Sequence, residues 1–246
     1  MKDSQQLAAL LNDLKFRTST AEIPEPASTA ITNFLMQEQK ARQLYRIARL
    51  LNSSGIQKAQ VRTFDDFDWS FNPGIPKQDI LAFKNSSWVT QPANLVLIGN
   101  PGIGKSHLAK ALCYDAILRT YTTCFITAFD LVSKIKKARF PDSKINYYSK
   151  IIRVLCIDEL GYVYHNKDDT DLLYHVISKR CECFPTIVTT NLPPKDWGKI
   201  LSGAAATAIL DRLSFQGTFL TWEGQSYRLK TRRKSLVSRL SFLYPV

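Results

Sequence analysis

A short apolar run followed by a glycine-rich loop constrains this chain more than any other feature. Residues 95–98 read LVLI and residues 99–106 read GNPGIGKS, which matches the spacing G-x-x-x-x-G-K-[ST]. A helical pattern begins directly afterwards. Glycines let the backbone turn tightly without a Cβ, so that successive N–H groups can face one anion. The stretch therefore predicts a strand, a phosphate-binding loop and a helix.

The residue types in this loop suit the phosphate groups of a nucleotide. The helix that follows adds the positive end of its dipole, Lys105 can reach the outer phosphates, and the Ser106 hydroxyl can bind Mg²⁺. A chance match in an ordinary glycine-containing turn is the alternative, and the flanking strand and helix argue against it. The predicted nucleotide-binding residues are Gly99, Asn100, Pro101, Gly102, Ile103, Gly104, Lys105, Ser106 and His107.

Two adjacent acids follow another apolar run later in the chain. Asp158 and Glu159 come directly after a predicted strand, and ligands of an open α/β sheet lie at the carboxyl ends of its strands. Asp158 is the candidate Mg²⁺ ligand, and Glu159 is the candidate base for an attacking water. Because a small-molecule kinase must exclude water, the second acid favours hydrolysis over phosphotransfer. On its own, such a pair could equally cap a helix.

Three further polar side chains are candidates for phosphate chemistry. Asn191 closes the next β-rich run, where it could orient the attacking water or simply cap a turn. Arg212 lies in an apolar helix. There it could form a local ion pair near Asp211, or it could act as an arginine finger on a neighbouring subunit. Arg228 is a second candidate for phosphate contact.

From residue 94 onward, β-rich runs alternate with helical patterns. This alternation predicts an α/β fold, a five-stranded parallel sheet with helices on both faces. The predicted strands are 94–98, 122–127, 152–157, 185–190 and 216–222. The predicted helices are 104–119, 129–138, 169–182 and 204–213, and the intervening segment 139–150 is polar and basic.

The preceding residues predict a small all-helical domain. Residues 4–17 carry leucines at helical spacing, and a longer helix follows from about residue 28 to about residue 51. The predicted buried stripe of the longer helix is Phe34, Ala41, Leu44, Ala48 and Leu51. The aromatic and acidic stretch 64–69 is predicted to pack its aromatic side chains against the nucleotide-binding core.

Formal net charge is +12, from 33 basic and 21 acidic residues. A positive net charge of this size indicates an anionic binding partner, and nucleic acid is the first candidate. The alternative is that the charge only keeps the protein soluble. Two groups of basic side chains are candidate DNA contacts; the arginines of the first group fall at helical spacing, and a solvated charged face is the competing interpretation for them. The groups are Arg42, Arg46 and Arg49 in the long N-terminal helix, and Lys134, Lys136 and Lys137 near residue 135.

Other sequence features indicate the cellular compartment of the protein. No window holds 18 uninterrupted apolar residues, and the amino terminus does not resemble a signal peptide. The five cysteines include no C-x-x-C pair, which favours reduced thiols over a zinc site. We therefore expect a cytoplasmic protein without a membrane partner.

Five motifs in this order resemble the IstB-like ATP-binding proteins, the transposition helper ATPases of an insertion-sequence family that is close to the DnaC and DnaI helicase loaders. The motifs are GNPGIGKSHLAKAL, VLCIDELGY, TTNLP, AILDRL and GQSYRLK. The resemblance implies an AAA+ P-loop NTPase with a reduced or absent lid, preceded by a small helical domain. It divides the chain into a DNA- or partner-binding domain at 1–63, the ATPase domain at 64–230, and a basic and apolar tail at 231–246 that has no counterpart in the family pattern.

The resemblance also implies a set of activities and roles. It implies ATP and Mg²⁺ as cofactors, ATP-dependent self-assembly on double-stranded DNA with little sequence preference, and recruitment of a partner transposase. Lys105 and Ser106 would bind phosphate and Mg²⁺, Asp158 would bind the metal, and Glu159 would be the base. Asn191 would be the polar sensor and Arg212 the finger that acts on a neighbour, whereas the role of Arg228 is implied least strongly.

Three other functions fit the same sequence. The alternative within the superfamily is a DnaC- or DnaI-like helicase loader. A metabolite kinase would need a pocket for a small acceptor and no DNA. A nucleotide-gated DNA scaffold would bind ATP but turn it over only slowly. Gene neighbours and the effect of DNA on ATP turnover separate these possibilities.

Overall fold

The computed structural model describes residues 2–85, 87–161 and 166–230, so the tail predicted at 231–246 lies outside the described residues. The chain forms two compact units, one comprising residues 1–49 and a larger one that begins at Leu50.

The smaller unit is helical. Helix α1 spans Lys2–Asp13, a 3-10 turn spans Thr20–Glu22, and helix α2 spans Glu25–Ser53. The leucines of the predicted first helix are buried together against Leu35, which confirms that prediction: Leu7, Leu10, Leu11 and Leu14.

The predicted buried stripe of α2 is wrong at Phe34, Ala41, Leu44 and Ala48, which are exposed, whereas Leu51 is partly buried. Phe34 and Leu44 are 64% and 58% exposed, whereas Leu35 is buried. The leucines of α1 pack onto the face of α2 that carries Ile31 and Leu35, so the buried face is offset from the predicted one. Helical periodicity alone gives several possible faces in a sequence with scattered apolar residues, and the packing partner selects among them.

The larger unit starts with short elements and continues as alternating strands and helices. A 3-10 turn at Lys58–Gln60 precedes α3 (Lys77–Ala82), a turn at Phe83–Asn85 and α4 (Ser87–Thr90). The alternating elements then follow: β1 (Asn94–Ile98), α5 (Lys105–Leu118), β2 (Thr123–Thr127), α6 (Ala128–Lys136), α7 (Pro141–Asn146), a π-helical turn (Tyr147–Ile151), β3 (Val154–Leu160), α8 (Lys167–Arg180), β4 (Thr186–Thr190), a 3-10 turn (Pro194–Lys199), α9 (Gly203–Ser214) and β5 (Gly217–Thr221).

The five strands form one sheet in the order β2-β3-β4-β1-β5, and all of the paired strands are parallel. Successive strand residues point to opposite faces. Val96, Ile98 and Ile157 therefore pack with α6, α8 and α9 on one face, while Leu95, Leu97 and Cys156 pack with α5 on the other. The predicted five-stranded parallel sheet with helices on both faces is confirmed.

Two local features differ from the prediction. The polar segment at 139–150 is largely helical, because Ile145 and Tyr148 are buried against the sheet-covering helices. Strand β3 continues to Leu160, beyond the predicted end at residue 157. A register irregularity between Ile157 and Leu160 lets the strand continue through the two acids.

No helix in the described part of the chain is both long enough and apolar enough to cross a membrane.

Candidate functional site

The glycine-rich loop leaves the carboxyl end of β1, the fourth strand of the sheet order. Gly99, Gly102 and Gly104 have φ values of 151°, 84° and 105°, which L residues with a Cβ rarely adopt. Gly104 is the N-cap of α5, so the loop leads directly into the amino end of that helix. Backbone N–H groups and the helix dipole thus meet in one concave turn, as an anion site requires.

Other segments of the chain fill the space beside each glycine. A Cβ on Gly99 would lie 2.2 Å from the Trp222 carbonyl oxygen, and one on Gly102 would lie 2.2 Å from Ser226 Oγ. A Cβ on Gly104 would lie 2.5 Å from the Phe67 ring. The loop is therefore enclosed between the segment that precedes β1 and the segment that follows β5.

Lys105 is buried at the centre of this loop, with 8% of its surface exposed. Its ammonium group donates to the carbonyl oxygens of Gly99 and Asn100 at 2.6 and 2.9 Å. Burial lowers the pKa of Lys105 from 10.5 to about 8; Arg228 adds to this effect, while Asp158 and Glu159 oppose it. The lysine is thus a desolvated cation, which an anionic ligand would stabilise.

The Ser106 hydroxyl and the Asp158 carboxylate face each other. Ser106 Oγ donates to Asp158 Oδ1 at 2.8 Å, and Asp158 is almost fully buried. Asp158 Oδ1 also accepts a short hydrogen bond from the Thr189 hydroxyl. A hydroxyl beside a carboxylate next to a phosphate loop offers the hard oxygen ligands that Mg²⁺ prefers, so these residues fit the expected metal.

Glu159 lies in the irregular part of β3. Its φ is +60°, its backbone N–H donates to Thr189 Oγ1 at 3.0 Å, and its side chain lines the same cavity as Lys105. A left-handed residue in a strand reverses the alternation of side chains. Consequently both adjacent acids lie at the carboxyl edge of the sheet, with Asp158 buried and Glu159 exposed.

Asn191 follows β4 and also lines the cavity. Among the described side chains, its Oδ1 atom is one of three buried polar atoms without a hydrogen-bond partner. A buried amide oxygen left unsatisfied is unfavourable by roughly 1–3 kcal/mol. The group is therefore available for a ligand or a water molecule that the site binds.

The cavity has a volume of about 390 Å³. Its floor is the phosphate loop and its acidic side is Glu159 with the end of β4. The remaining wall comes from both flanking segments and includes Arg62, Phe67, Phe71, Asn72, Tyr227 and Arg228.

His107 connects the loop helix to the preceding segment. Its Nε2 atom lies 3.0 Å from the Thr63 carbonyl oxygen, and its ring meets the Phe67 ring edge-on at 5.1 Å. Burial lowers the pKa of His107, which favours the neutral ring. These contacts confirm that the aromatic residues of segment 64–69 pack against the loop.

Arg212 is not among the described residues that line the cavity. Its carbonyl oxygen accepts from Asn94 Nδ2 at 3.3 Å, which places it near the amino end of β1. Its guanidinium lies 3.3 Å from the Asp211 carboxylate. The local ion pair considered from the sequence is present, and Arg212 lies at the sheet edge opposite the phosphate loop of its own chain.

The candidate DNA residues lie outside the cavity. Arg42, Arg46 and Arg49 are exposed in the smaller unit, where Arg42 pairs with Glu38 at 2.6 Å. The exposed second group ends α6, and there Lys136 forms an ion pair with Asp169. That group comprises Lys134, Lys136 and Lys137.

Two residues of the site were not identified from the sequence. Thr189 bonds to Asp158 and to the Glu159 N–H, and the polar run that ends β4 was a usable signal for it. Asn72 contacts Gln225, 153 positions away, and no local pattern indicates that contact.

A parallel sheet of order 2-3-4-1-5, a phosphate loop after β1 and an acid pair on β3 define a P-loop NTPase of the AAA+ class. The chain belongs to the IstB-like ATP-binding protein family, because the model of that family matches residues 4–235.

Relatives of known sequence extend over nearly the whole chain. It is 32% identical over 243 residues to the ATP-binding protein of insertion sequence IS232 from Bacillus thuringiensis, covering 94% of this chain and 97% of that protein. It is 33% identical over 222 residues to the corresponding protein of IS5376 from Geobacillus stearothermophilus, with 88% of each chain covered.

Solved structures support the fold. The crystal structure of DnaI matches with a TM-score of 0.56 at 19% identity, over 67% of this chain and 89% of that chain. The replication initiator DnaA, bound to AMPPCP and single-stranded DNA, matches with a TM-score of 0.55 at 15% identity, over 74% of this chain and 56% of that chain.

Proposed function

We propose that this protein is a Mg²⁺-dependent ATPase that assembles on double-stranded DNA and recruits a transposase. The observation that carries the proposal is the cluster of Lys105, Ser106 and Asp158 at one end of the cavity, with Glu159 and Asn191 beside it. This arrangement provides a cation, two metal ligands, a base and an amide around the place where outer phosphates bind.

The residues of the loop bind and orient the nucleotide. Lys105 exchanges its two carbonyl acceptors for phosphate oxygens, which compensates its desolvated charge. Ser106 and Asp158 would hold Mg²⁺, and the bound ion would supply positive charge against the phosphates. The hydroxyl of Thr189 keeps Asp158 directed toward Ser106.

Glu159 and Asn191 act on water. The Glu159 carboxylate lines the cavity and accepts a proton from the attacking water as it approaches the terminal phosphate. Asn191 presents an amide oxygen that has no protein partner among the described residues, and it holds that water in position. Arg228 also lines the cavity and adds positive charge near Lys105.

The position of Arg212 supports a role between subunits. Because the Arg212 backbone lies at the amino end of β1 and its side chain does not line the cavity of its own chain, Arg212 would serve the site of a neighbour. Mixing Arg212→Ala with Lys105→Ala should restore turnover that neither variant has alone, since each supplies what the other lacks. Absence of any restoration would mean that Arg212 has only its local ion pair.

Charge and relatives support the DNA and transposase parts of the proposal. The net charge is +12, and the relatives named above are encoded by insertion sequences. The exposed arginines of α2 and lysines of α6 provide two basic surfaces. Binding to DNA through them would fall steeply with salt concentration, because phosphate contacts release counterions.

One experiment tests the catalytic and DNA parts together. Wild-type protein, Glu159→Gln and Glu182→Gln are compared for ATP turnover and for retention of duplex DNA with ATP. Glu182 is the matched control, because it is exposed, has φ of 68° and lies outside the cavity. We expect Glu159→Gln to lose turnover by about 10²-fold or more and to remain on DNA. Normal turnover in that variant would refute the assignment of the base.

A helicase loader is the second candidate, favoured by 26% identity over 149 residues to the replicative helicase loader DnaC of Escherichia coli. The two functions differ in the partner. Co-purification of the ATP-bound Glu159→Gln protein with a transposase from the same element supports transposition, whereas capture of a replicative helicase supports loading.

A further inference from the structure

A buried asparagine joins the two segments that enclose the phosphate loop. Asn72 is only 4% exposed. Its Oδ1 atom accepts from the Gln225 backbone N–H at 2.9 Å, and its Nδ2 atom donates to the Gln225 carbonyl oxygen at 3.2 Å. One amide thus satisfies both backbone groups of one residue, as a neighbouring strand would.

Gly224, the residue before Gln225, has no Cβ and so leaves room for the Asn72 amide. A Cβ on Gly224 would lie 2.4 Å from both Cγ and Oδ1 of Asn72. The amide therefore lies directly against the backbone at residue 224, and any larger residue there would displace it.

The contacts around the Asn72 amide are weaker. The rings of Phe71 and Tyr227 meet edge-on at 5.1 Å. Lys230 lies 4.3 Å from the centre of the Phe71 ring and 3.8 Å from the Asp68 carboxylate. The partly exposed ion pair contributes little, so the two hydrogen bonds of the buried Asn72 side chain are the stronger polar connection between the two segments.

This connection fixes the residues that follow Gln225 over the loop. Ser226 lies against Gly102, and the Tyr227 N–H donates to the Gly102 carbonyl oxygen at 3.0 Å. The next residue, Arg228, lines the cavity, and its charge acts on Lys105. The two cations therefore face the same region, where the outer phosphates of a nucleotide bind.

We propose that Asn72 is a positioning residue, which holds Arg228 over the phosphate site through its paired hydrogen bonds to Gln225. The inference rests on the nucleotide site of the proposed function, but it does not require hydrolysis, DNA or a transposase. Without the amide, both Gln225 groups lose their partner, and the position of the residues after Gln225 is fixed less closely. Arg228 would then no longer meet the phosphates in one fixed geometry.

The test measures binding of the non-hydrolysable analogue AMP-PNP with Mg²⁺ by titration calorimetry. Asn72→Ala and Arg228→Ala should each weaken binding about tenfold, since a charge-assisted hydrogen bond is lost or misplaced. The double variant should bind no more weakly than Arg228→Ala alone, because Asn72 acts through the arginine. A further loss in the double variant equal to that of Asn72→Ala alone, or normal binding by Asn72→Ala, would overturn the proposal.

Gly224→Ala is a second variant that would disturb the contact between Asn72 and Gln225. Its methyl group would occupy the place of the Asn72 amide, so it should reproduce the weakened binding and add nothing to Asn72→Ala. Independent effects of the two variants would contradict the proposal. This second variant keeps the test informative if Asn72→Ala does not fold.

Asn94→Ala is the matched control for lost stability. Asn94 is also buried, and its amide also joins backbone segments, but at the opposite edge of the sheet. It should lower the unfolding midpoint without changing AMP-PNP affinity. If wild-type protein binds AMP-PNP but does not hydrolyse ATP, the proposed ATPase activity is refuted. The role of Asn72 can still be tested, because the test measures only AMP-PNP affinity.

Discussion

The buried polar groups at the amino ends of the strands differ in their hydrogen bonding from those at the carboxyl ends. These two ends of the sheet are called its amino edge and its carboxyl edge. At the amino edge, Asn94 donates to the carbonyl groups of residues 212, 213 and 215 and accepts from the Thr186 N–H. Arg180, fully buried, donates to four carbonyl groups and to the Thr186 hydroxyl. At the carboxyl edge, Asn191 Oδ1 lacks a partner among the described residues, and Glu159 has a left-handed backbone.

This difference separates the part of the molecule that maintains the fold from the part that binds. Satisfied polar groups at the amino edge tie helix and strand ends together. The carboxyl edge carries a desolvated lysine, an unsatisfied amide and a strained acid, whose unfavourable energies a bound ligand can relieve.

Arg180→Ala should lower the free energy of unfolding by about 3–5 kcal/mol, because it leaves several buried carbonyl groups without a donor. Urea denaturation measures the change, and Lys179→Ala, an exposed neighbour, is the control. If the amino edge maintains the fold and takes no part in binding, the folded fraction of Arg180→Ala should still bind nucleotide normally. A similar stability for Arg180→Ala and Lys179→Ala would contradict the conclusion that the amino edge maintains the fold.

Thr189→Val should reduce ATP turnover about tenfold, because Asp158 loses a donor and the Glu159 N–H loses its acceptor. Steady-state kinetics with a separate measurement of nucleotide affinity checks this. Thr189→Ser keeps the hydroxyl and should retain most of the activity. Equal turnover in the valine and serine variants would mean that the hydroxyl has no part in positioning the acids.

Glu159→Gly should raise the free energy of unfolding by about 1 kcal/mol, because glycine adopts φ near +60° without strain, and it should abolish turnover. Glu182→Gly relaxes a second left-handed residue, outside the cavity, and should gain stability while keeping activity. Thermal unfolding of both variants is the measurement. Loss of stability in Glu159→Gly alone would show that its side chain supports the fold.

The pH dependence of nucleotide affinity should give the smallest effect. The pKa of Lys105 is about 8 in the ligand-free protein, and the protonated form binds phosphate. Affinity should therefore be level below about pH 7, be roughly halved near pH 8, and fall severalfold further as the pH rises to about 9. Lys105→Arg keeps its charge over this range, so any affinity it retains should not fall. A decline of the same size in both proteins would assign the titration to another group.

The parts of the molecule that sequence analysis described correctly depend on local patterns. The phosphate loop, the acid pair near the carboxyl end of the third strand and the leucines of the first helix follow from residue types at short spacing. The same local signals place Asn191 at the end of a strand. They are sufficient because parallel strands bring their carboxyl ends to one edge of a sheet.

The parts that were missed depend on contacts between distant residues. The buried face of α2 is set by the leucines of α1, so Leu35 is buried while Phe34 is exposed. The helical segment after residue 140 owes its structure to burial of Tyr148, which a polar composition conceals. The bond between Asn72 and Gln225 spans 153 positions, and no local pattern records such a separation.

The enclosure of the phosphate loop has a consequence for the newly made protein. Phe67 lies before the loop in the chain, but Trp222 and Ser226 lie more than a hundred residues after it. Because ribosomes release the amino-terminal part first, a growing chain lacks one side of its nucleotide pocket until nearly all of residues 1–230 have been synthesised. The phosphate loop of an incomplete product therefore lacks the backbone of Trp222 and the side chain of Ser226 that lie against Gly99 and Gly102 in the folded protein.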